Sequence, residues 1–147
     1  MTTANWQVLL VEDNEGDVSL VRLASEQFPR IRLHHVPDAN QAQLFLCKQP
    51  PFDHAPVPHL VLLDLRMPLV DGTTVLEAMR GMVAYDTTPV VVFTSSTLVS
   101  DYDRCRDLCA TGYMLKPVDW ASWQDTMKRI FETYLKGFRT SIAPTGL

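Results

Sequence analysis

Apolar residues recur along this chain in two rhythms that alternate from one end to the other. One is the short unbroken run: Val8-Leu9-Leu10-Val11, Leu60-Val61-Leu62-Leu63 and Val90-Val91-Val92-Phe93. A strand of a parallel sheet is covered on both faces, so it reads as a continuous apolar run rather than an alternation. The other rhythm is a spacing of three and four. Val18, Val21, Ala24 and Phe28 follow it, as do Val75, Leu76, Met79 and Val83, and then Trp120, Trp123, Met127, Ile130 and Phe131. Each set marks a helix with one buried stripe. The pattern predicts strands at 7–11, 31–36, 60–63, 89–93 and 112–115. It predicts helices at 16–28, 39–47, 73–83, 98–109 and 119–134.

Asp38 and Asp119 stand where helix N-caps belong, and Pro29 marks the end of the first helix. Between Gln49 and Pro58 stand Pro50, Pro51, Pro56 and Pro58, which forbid regular structure and make a long extended loop. Strict alternation of strand and helix implies an α/β domain with a parallel sheet and right-handed crossovers. The strand at 31–36 is the most amphipathic and the one at 112–115 is short, so both belong at edges. The expected architecture is a doubly wound five-stranded sheet of order 2-1-3-4-5.

Length and composition narrow this further. A chain of 147 residues with 46% hydrophobic and 20% charged residues is an ordinary globular domain that needs no disulfide or metal to fold. No apolar run approaches the roughly 20 residues of a membrane span, and no basic stretch followed by an apolar one opens the chain. The net charge of -4 gives no basic face for nucleic acid. Cys47, Cys105 and Cys109 form no C-x-x-C pair and read as free thiols, which fits a reducing cytoplasm. Cys105 and Cys109, four apart, could share a helix face. His34, His35, His54 and His59 are read as structural or surface residues, none of them beside the acidic groups described next.

In a doubly wound sheet, ligands bind outside the carboxyl ends of the strands. Glu12 and Asp13 leave the first strand, Asp64 the third, Thr94, Ser95 and Ser96 the fourth, and Lys116 the fifth. Three carboxylates crowded together repel unless neutralised. An all-oxygen donor set suits a hard divalent cation, Mg²⁺ more than Ca²⁺. Asp13 and Asp64 are expected to ligate directly, and Glu12 through a bound water. Asp64 can then act as a nucleophile, with Lys116 and Thr94 offsetting charge on an incoming phosphoryl group. Taken alone, Glu12-Asp13-Asn14 could equally be a turn capping the first helix.

With these pieces in order, the sequence resembles a response-regulator receiver domain of two-component signalling. The resemblance is carried by Val8-Leu9-Leu10-Val11-Glu12-Asp13-Asn14, by Leu62-Leu63-Asp64-Leu65-Arg66-Met67-Pro68 with Asp71-Gly72, by Pro89 to Ser95, and by Gly112-Tyr113-Met114-Leu115-Lys116-Pro117. It covers roughly residues 7–134. It implies a flavodoxin-like three-layer sandwich in which Asp64 accepts a phosphoryl group from a phosphohistidine of a sensor histidine kinase. It implies Mg²⁺ held by Asp13, Asp64 and the backbone carbonyl of Arg66, with Glu12 completing the acidic pocket. Thr94 would turn toward the phosphate, Lys116 would pair with it, and Tyr113 would be the switch aromatic. The surface of the fourth helix, fifth strand and fifth helix would then differ between two states. The Lys116–Pro117 bond would be cis. The long proline-rich loop and the Glu12 to Asp17 pattern are similar to stand-alone receivers paired with phytochrome-type histidine kinases.

Residues 1–134 are therefore expected to form the receiver and 135–147 a C-terminal extension, with no output domain and no nucleic-acid or membrane partner. Tyr134, Leu135 and Phe138 lie beyond the expected end of the sheet, and as exposed apolar residues they would supply a homodimer contact together with the last helix. The expected role is a cytoplasmic phosphoacceptor of a phosphorelay rather than a dedicated turnover enzyme. An aspartyl-phosphate hydrolase would carry a second aspartate at the position of Arg66. A flavin module would not place two acids after its first strand. A phosphorylation-independent receiver-fold binding module is the remaining alternative.

Overall fold

The computed structural model describes residues 5–67, 69–135 and 137–138. The chain alternates β1 (Trp6–Val11), α1 (Glu15–Ser25), β2 (Ile31–Val36), α2 (Ala39–Leu46), β3 (Leu60–Leu63), α3 (Thr73–Arg80), β4 (Val90–Thr94), α4 (Val99–Asp107), β5 (Gly112–Leu115) and α5 (Trp120–Tyr134). A 3-10 turn at Val83–Tyr85 follows α3. The five strands pair in parallel in the order β2-β1-β3-β4-β5. This is the expected doubly wound sheet with the expected edges.

Side chains of a strand alternate between faces, and the core divides accordingly. Val8, Leu10, Leu60, Leu62, Val91 and Phe93 pack against Val18 and Val21 of α1 and Trp123, Met127, Ile130 and Phe131 of α5. Leu9, Val11, Val61, Leu63 and Val90 face the other way, against Ala42 and Phe45 of α2 and Val75, Leu76 and Met79 of α3. Cys105 of α4 joins Leu65 and Val92 in a smaller cluster. Caps fall where short polar residues precede the helices: Asn14 accepts from the Asp17 amide, Asp38 from Gln41 and Asp119 from Ser122.

Several expectations are corrected. The α1 helix ends at Ser25, and Phe28 reaches the core from the turn beyond it. The α3 helix stops at Arg80 on Gly81, which leaves Val83 exposed rather than in a buried stripe. Cys109 lies beyond α4 at a positive φ of 65° and is exposed, while Cys105 is buried, so the two share no helix face. Leu135 and Phe138 are not an exposed apolar surplus. Both are buried in the α1–α5 core, where the Phe138 ring meets Phe28 and Phe131 edge-on. Leu135 and Phe138 extend the apolar cluster formed by the sheet, α1 and α5, and Tyr134 stands close against Gly112. The Lys116–Pro117 bond is trans, the ordinary preference of an X–Pro bond; the cis bond among the described residues is Pro50–Pro51.

Candidate functional site

Backbone hydrogen bonds carry the chain just past each strand and bring its exit residues to one rim. The Glu12 amide donates to Val36 O at 3.1 Å, the Asp64 amide to Val11 O at 3.0 Å, and the Lys116 amide to Thr94 O at 2.8 Å. Glu12, Asp64, Thr94 and Lys116 therefore leave neighbouring strands at the same end of the sheet. Glu12, Asp64 and Thr94 are buried. Asp13 is exposed.

The Lys116 ammonium stands at the centre. Its Nζ lies 2.6 Å from Glu12 Oε1, 2.7 Å from Asp17 Oδ2 and 3.2 Å from Asp64 Oδ2. Burial pulls a lysine pKa down, but hydrogen bonds to Asp17 and Glu12 and the charge of Asp64 outweigh it. The ammonium stands above the ordinary lysine value and is held charged. The Glu12 carboxyl, by contrast, is pushed toward its neutral form. Burial raises its carboxyl, Lys116 opposes this, and the neighbouring Asp64 adds to it, so the pKa reaches about 7.

Glu12, Asp13 and Asp64 each offer a carboxylate oxygen, all within 4.8 Å of one another. Oxygen-only donors around a partly open corner fit a hard divalent cation that keeps water and other oxygens in its shell. The raised Glu12 pKa comes first from burial, and the nearby Asp64 carboxylate adds to it while Lys116 opposes it.

Two features of the β3–α3 segment show their roles only in the structure. Gly72 has the look of a turn residue, but its φ of -59° would suit any residue. What requires glycine is proximity: a Cβ built on it would stand 2.1 Å from the Asp64 carbonyl oxygen. Leu69, by contrast, holds a positive φ of 70° and is fully exposed, beside a hollow of about 190 Å³ that also borders Asp13 and Asn40.

The β4 exit forms a second network. Thr94 Oγ1 accepts from the Ser96 amide at 3.2 Å. Ser96 Oγ donates to Asp101, which also accepts from Arg66 Nη2 at 2.6 Å. The Tyr113 hydroxyl donates to Ser96 O at 3.1 Å, and its ring meets Tyr102 edge-on at 5.3 Å. Thr94, Arg66 and Tyr113 thus converge on the β4–α4 loop, while Glu12, Asp13, Asp64 and Lys116 form the acid pocket.

Sequence reasoning misses three contributors. Asp17 belongs to the acid pocket, and its signal is the Glu12 to Asp17 spacing, which by itself does not point to Lys116. Asp101, on α4, gives no signal because it lies 35 residues from Arg66. His35 is expected away from the acids, yet its Nε2 lies 2.7 Å from the Glu12 backbone oxygen across the β1–β2 pairing. His34 and His59 do have structural partners, in the Gln7 side chain and amide.

An open 2-1-3-4-5 sheet whose carboxyl rim gathers three acids and a lysine defines the receiver class of signalling domain. The chain belongs to the response regulator receiver domain family, whose model matches residues 8–128. It is 33% identical over 138 residues to the probable methanogenesis regulatory protein FilR2 of Methanothrix harundinacea, covering 93% of this chain and 88% of that one. It is 33% identical over 113 residues to the response regulator Rcp1 of a Synechocystis species, covering 74% and 75%. Among solved structures it is similar to the phosphorylated cyanobacterial phytochrome response regulator RcpA. There the TM-score is 0.85 at 28% identity over 95% of this chain and all of that one. The Mn(2+)-bound form of Rcp1 matches at TM-score 0.83 and 28% identity, over 93% and 99%. Among the described residues no helix is long and apolar enough to cross a membrane.

Proposed function

We propose that this chain is a response-regulator receiver whose Asp64 accepts a phosphoryl group from a phosphohistidine of a sensor histidine kinase. The observation that carries the reading is the Asp64 carboxylate, 3.2 Å from a charged Lys116 and in one cluster with Glu12 and Asp13. An Asp64 oxygen attacks phosphorus as the P–N bond to the donor imidazole breaks, and the electron pair of that bond leaves with the imidazole. Lys116 offsets the charge on the transferring oxygens.

A divalent cation, Mg²⁺ in the cell, would be held by Asp13, Asp64 and the Arg66 backbone carbonyl, with Glu12 acting through water. It would supply further charge neutralisation to the phosphoryl oxygens. The relative Rcp1 has been solved in a Mn(2+)-bound form, which supports a divalent ion here.

Phosphorylation adds about -1.5 to -2 charges and three acceptor oxygens. In this reading Thr94 leaves the Ser96 amide for the phosphoryl group and the β4–α4 loop moves inward. Tyr113 then loses its Ser96 bond, and the α4–β5–α5 surface changes. Exposed Val99, Tyr102, Leu115, Val118 and Trp120 give that surface its apolar character. It would serve the kinase, a downstream partner or a second copy of the chain in a homodimer; Leu135 and Phe138 are buried and not free for that contact, and residues 139–147 of the C-terminal extension lie outside the described residues. Likeness to a cyanobacterial phytochrome response regulator supports a phytochrome-type kinase as donor, and a cytoplasmic location belongs to the same proposal. The chain is a phosphoacceptor, not a dedicated turnover enzyme.

Incubation with radiolabelled acetyl phosphate tests the reading. Label should require Mg²⁺ and map to Asp64, and Asp64→Asn should abolish it with the fold intact. Label that persists in Asp64→Asn would overturn the assignment.

A further inference from the structure

Asp17 occupies the third position of α1, after the N-cap Asn14. An acid at that position commonly reaches back to the N-cap amide, closing a capping box. Here that amide is taken: Asn14 N–H donates to Glu12 Oε2 at 3.1 Å. Asp17's own amide donates to Asn14 Oδ1 at 3.0 Å. Its carboxylate is therefore released from capping and reaches Lys116 Nζ at 2.7 Å, across 99 residues of sequence.

An ammonium has three protons to donate, and around Lys116 three carboxylates stand ready for them. A phosphoryl group on Asp64 brings three further acceptors to the same place. One existing partner has to yield. Glu12 is poorly suited, since its side chain is 2% exposed and losing Lys116 would leave a buried oxygen without its partner and without water to replace it. Asp17 is 23% exposed. It sits in the first turn of a helix, where the backbone dipole supports a negative charge. It can return to water at the least cost.

We propose that Asp17 is a positioning residue that grips Lys116 in the unphosphorylated chain and yields it to the phosphoryl group. This rests on the reading of Asp64 as the phosphoacceptor. Asp17 then competes with the phosphoryl group for one cation. Its grip keeps Lys116 poised over Asp64 before transfer and shortens the reach of the activated state afterwards.

The test uses beryllofluoride, which coordinates an aspartate oxygen and presents three fluorides where phosphoryl oxygens would lie. Its dissociation constant is measured on the full chain in excess Mg²⁺. Asp17→Asn should bind about five-fold more tightly than wild type, the scale of one lost charged competitor. Asp17→Glu, which restores a carboxylate, should return toward wild type. Glu15→Gln removes the same charge from the same exposed turn without touching Lys116 and should change nothing. In a Lys116→Met background, Asp17→Asn should have no further effect.

Equal binding by Asp17→Asn and Glu15→Gln would overturn the proposal even if Lys116→Met did not fold. So would tightening that persists without Lys116, because that is a through-space charge effect. Wild type that fails to bind beryllofluoride, or Asp64→Asn that binds it as well, would instead remove the phosphoacceptor reading itself.

Discussion

Arg66 Nη2 donates to Asp101 Oδ2 at 2.6 Å, tying the loop after β3 to the first turn of α4. Asp101 also accepts from Ser96, so one carboxylate joins the loops leaving two neighbouring strands. The Arg66 side chain is 54% exposed, which keeps the pair's share of stability small. In urea denaturation of Arg66→Ala, Asp101→Ala and the double variant, each single change should cost under about 1 kcal/mol. The double variant should cost less than their sum, because both remove the same contact. Strict additivity would show that the two side chains are not partners in solution.

Gly72 is expected to be intolerant of even one methyl group. An added Cβ would meet the Asp64 carbonyl oxygen at 2.1 Å and the Leu65 Cα at 3.1 Å, and both are backbone atoms with no rotamer to yield. Gly72→Ala should cost about 1–3 kcal/mol, the range of overpacking a tight site. It should also depress labelling of Asp64, because relief of the clash moves that residue. Gly81→Ala is the matched control, since its nearest neighbour would be 3.6 Å away. Thermal unfolding of the two variants compares them directly, and equal melting temperatures would contradict the close approach.

Most of the fold is legible in the sequence because its signals are local and strong. The runs at Leu60–Leu63 and Gly112–Leu115 lie where the strands begin and end, and Asp38 and Asp119 cap the helices that follow them. Boundaries go astray where tertiary contacts override periodicity. Val83 keeps a helical spacing, yet Gly81 ends the helix. Leu135 and Phe138 look stranded because a sequence does not show chain folding back on the core. The acid pocket is legible because strand exits in this topology converge. Asp17 and Asp101 are harder, since each acts through a partner on a distant element, and the requirement for Gly72 is a matter of proximity rather than conformation.

The three cysteines should differ sharply in reactivity. Burial pushes the Cys105 thiol up to about 11, and Asp101 and Asp71 add to the effect. Its side chain is sealed in the α4 cluster. Cys47 and Cys109 are exposed. Because the thiolate is the nucleophile, a thiol reagent at neutral pH should modify Cys47 and Cys109 in the native protein and Cys105 only after unfolding. Mass spectrometry of a time course reads this out, and rapid native labelling of Cys105 would mean that α4 opens readily.

Glu12 should couple protons to both stability and metal binding. Its carboxyl rises from 4.5 to about 7 on folding, chiefly by burial. Between those values the native state binds more protons than the unfolded state, so stability falls as pH rises. The contribution is fully present below the unfolded pKa and lost through the folded one. In metal-free protein, unfolding followed between pH 5 and 8 should show this decline, and Glu12→Gln should lack that part of the slope. A divalent cation favours the ionised pocket, so its binding should release protons on the acid side of pH 7. Mg²⁺ affinity should rise with pH up to about 7 and then level off, and Glu12→Gln should flatten that dependence. Calorimetry in two buffers of different ionisation enthalpy counts the protons released. A count of zero at pH 6 in wild type would mean that Glu12 is already ionised in the metal-free pocket.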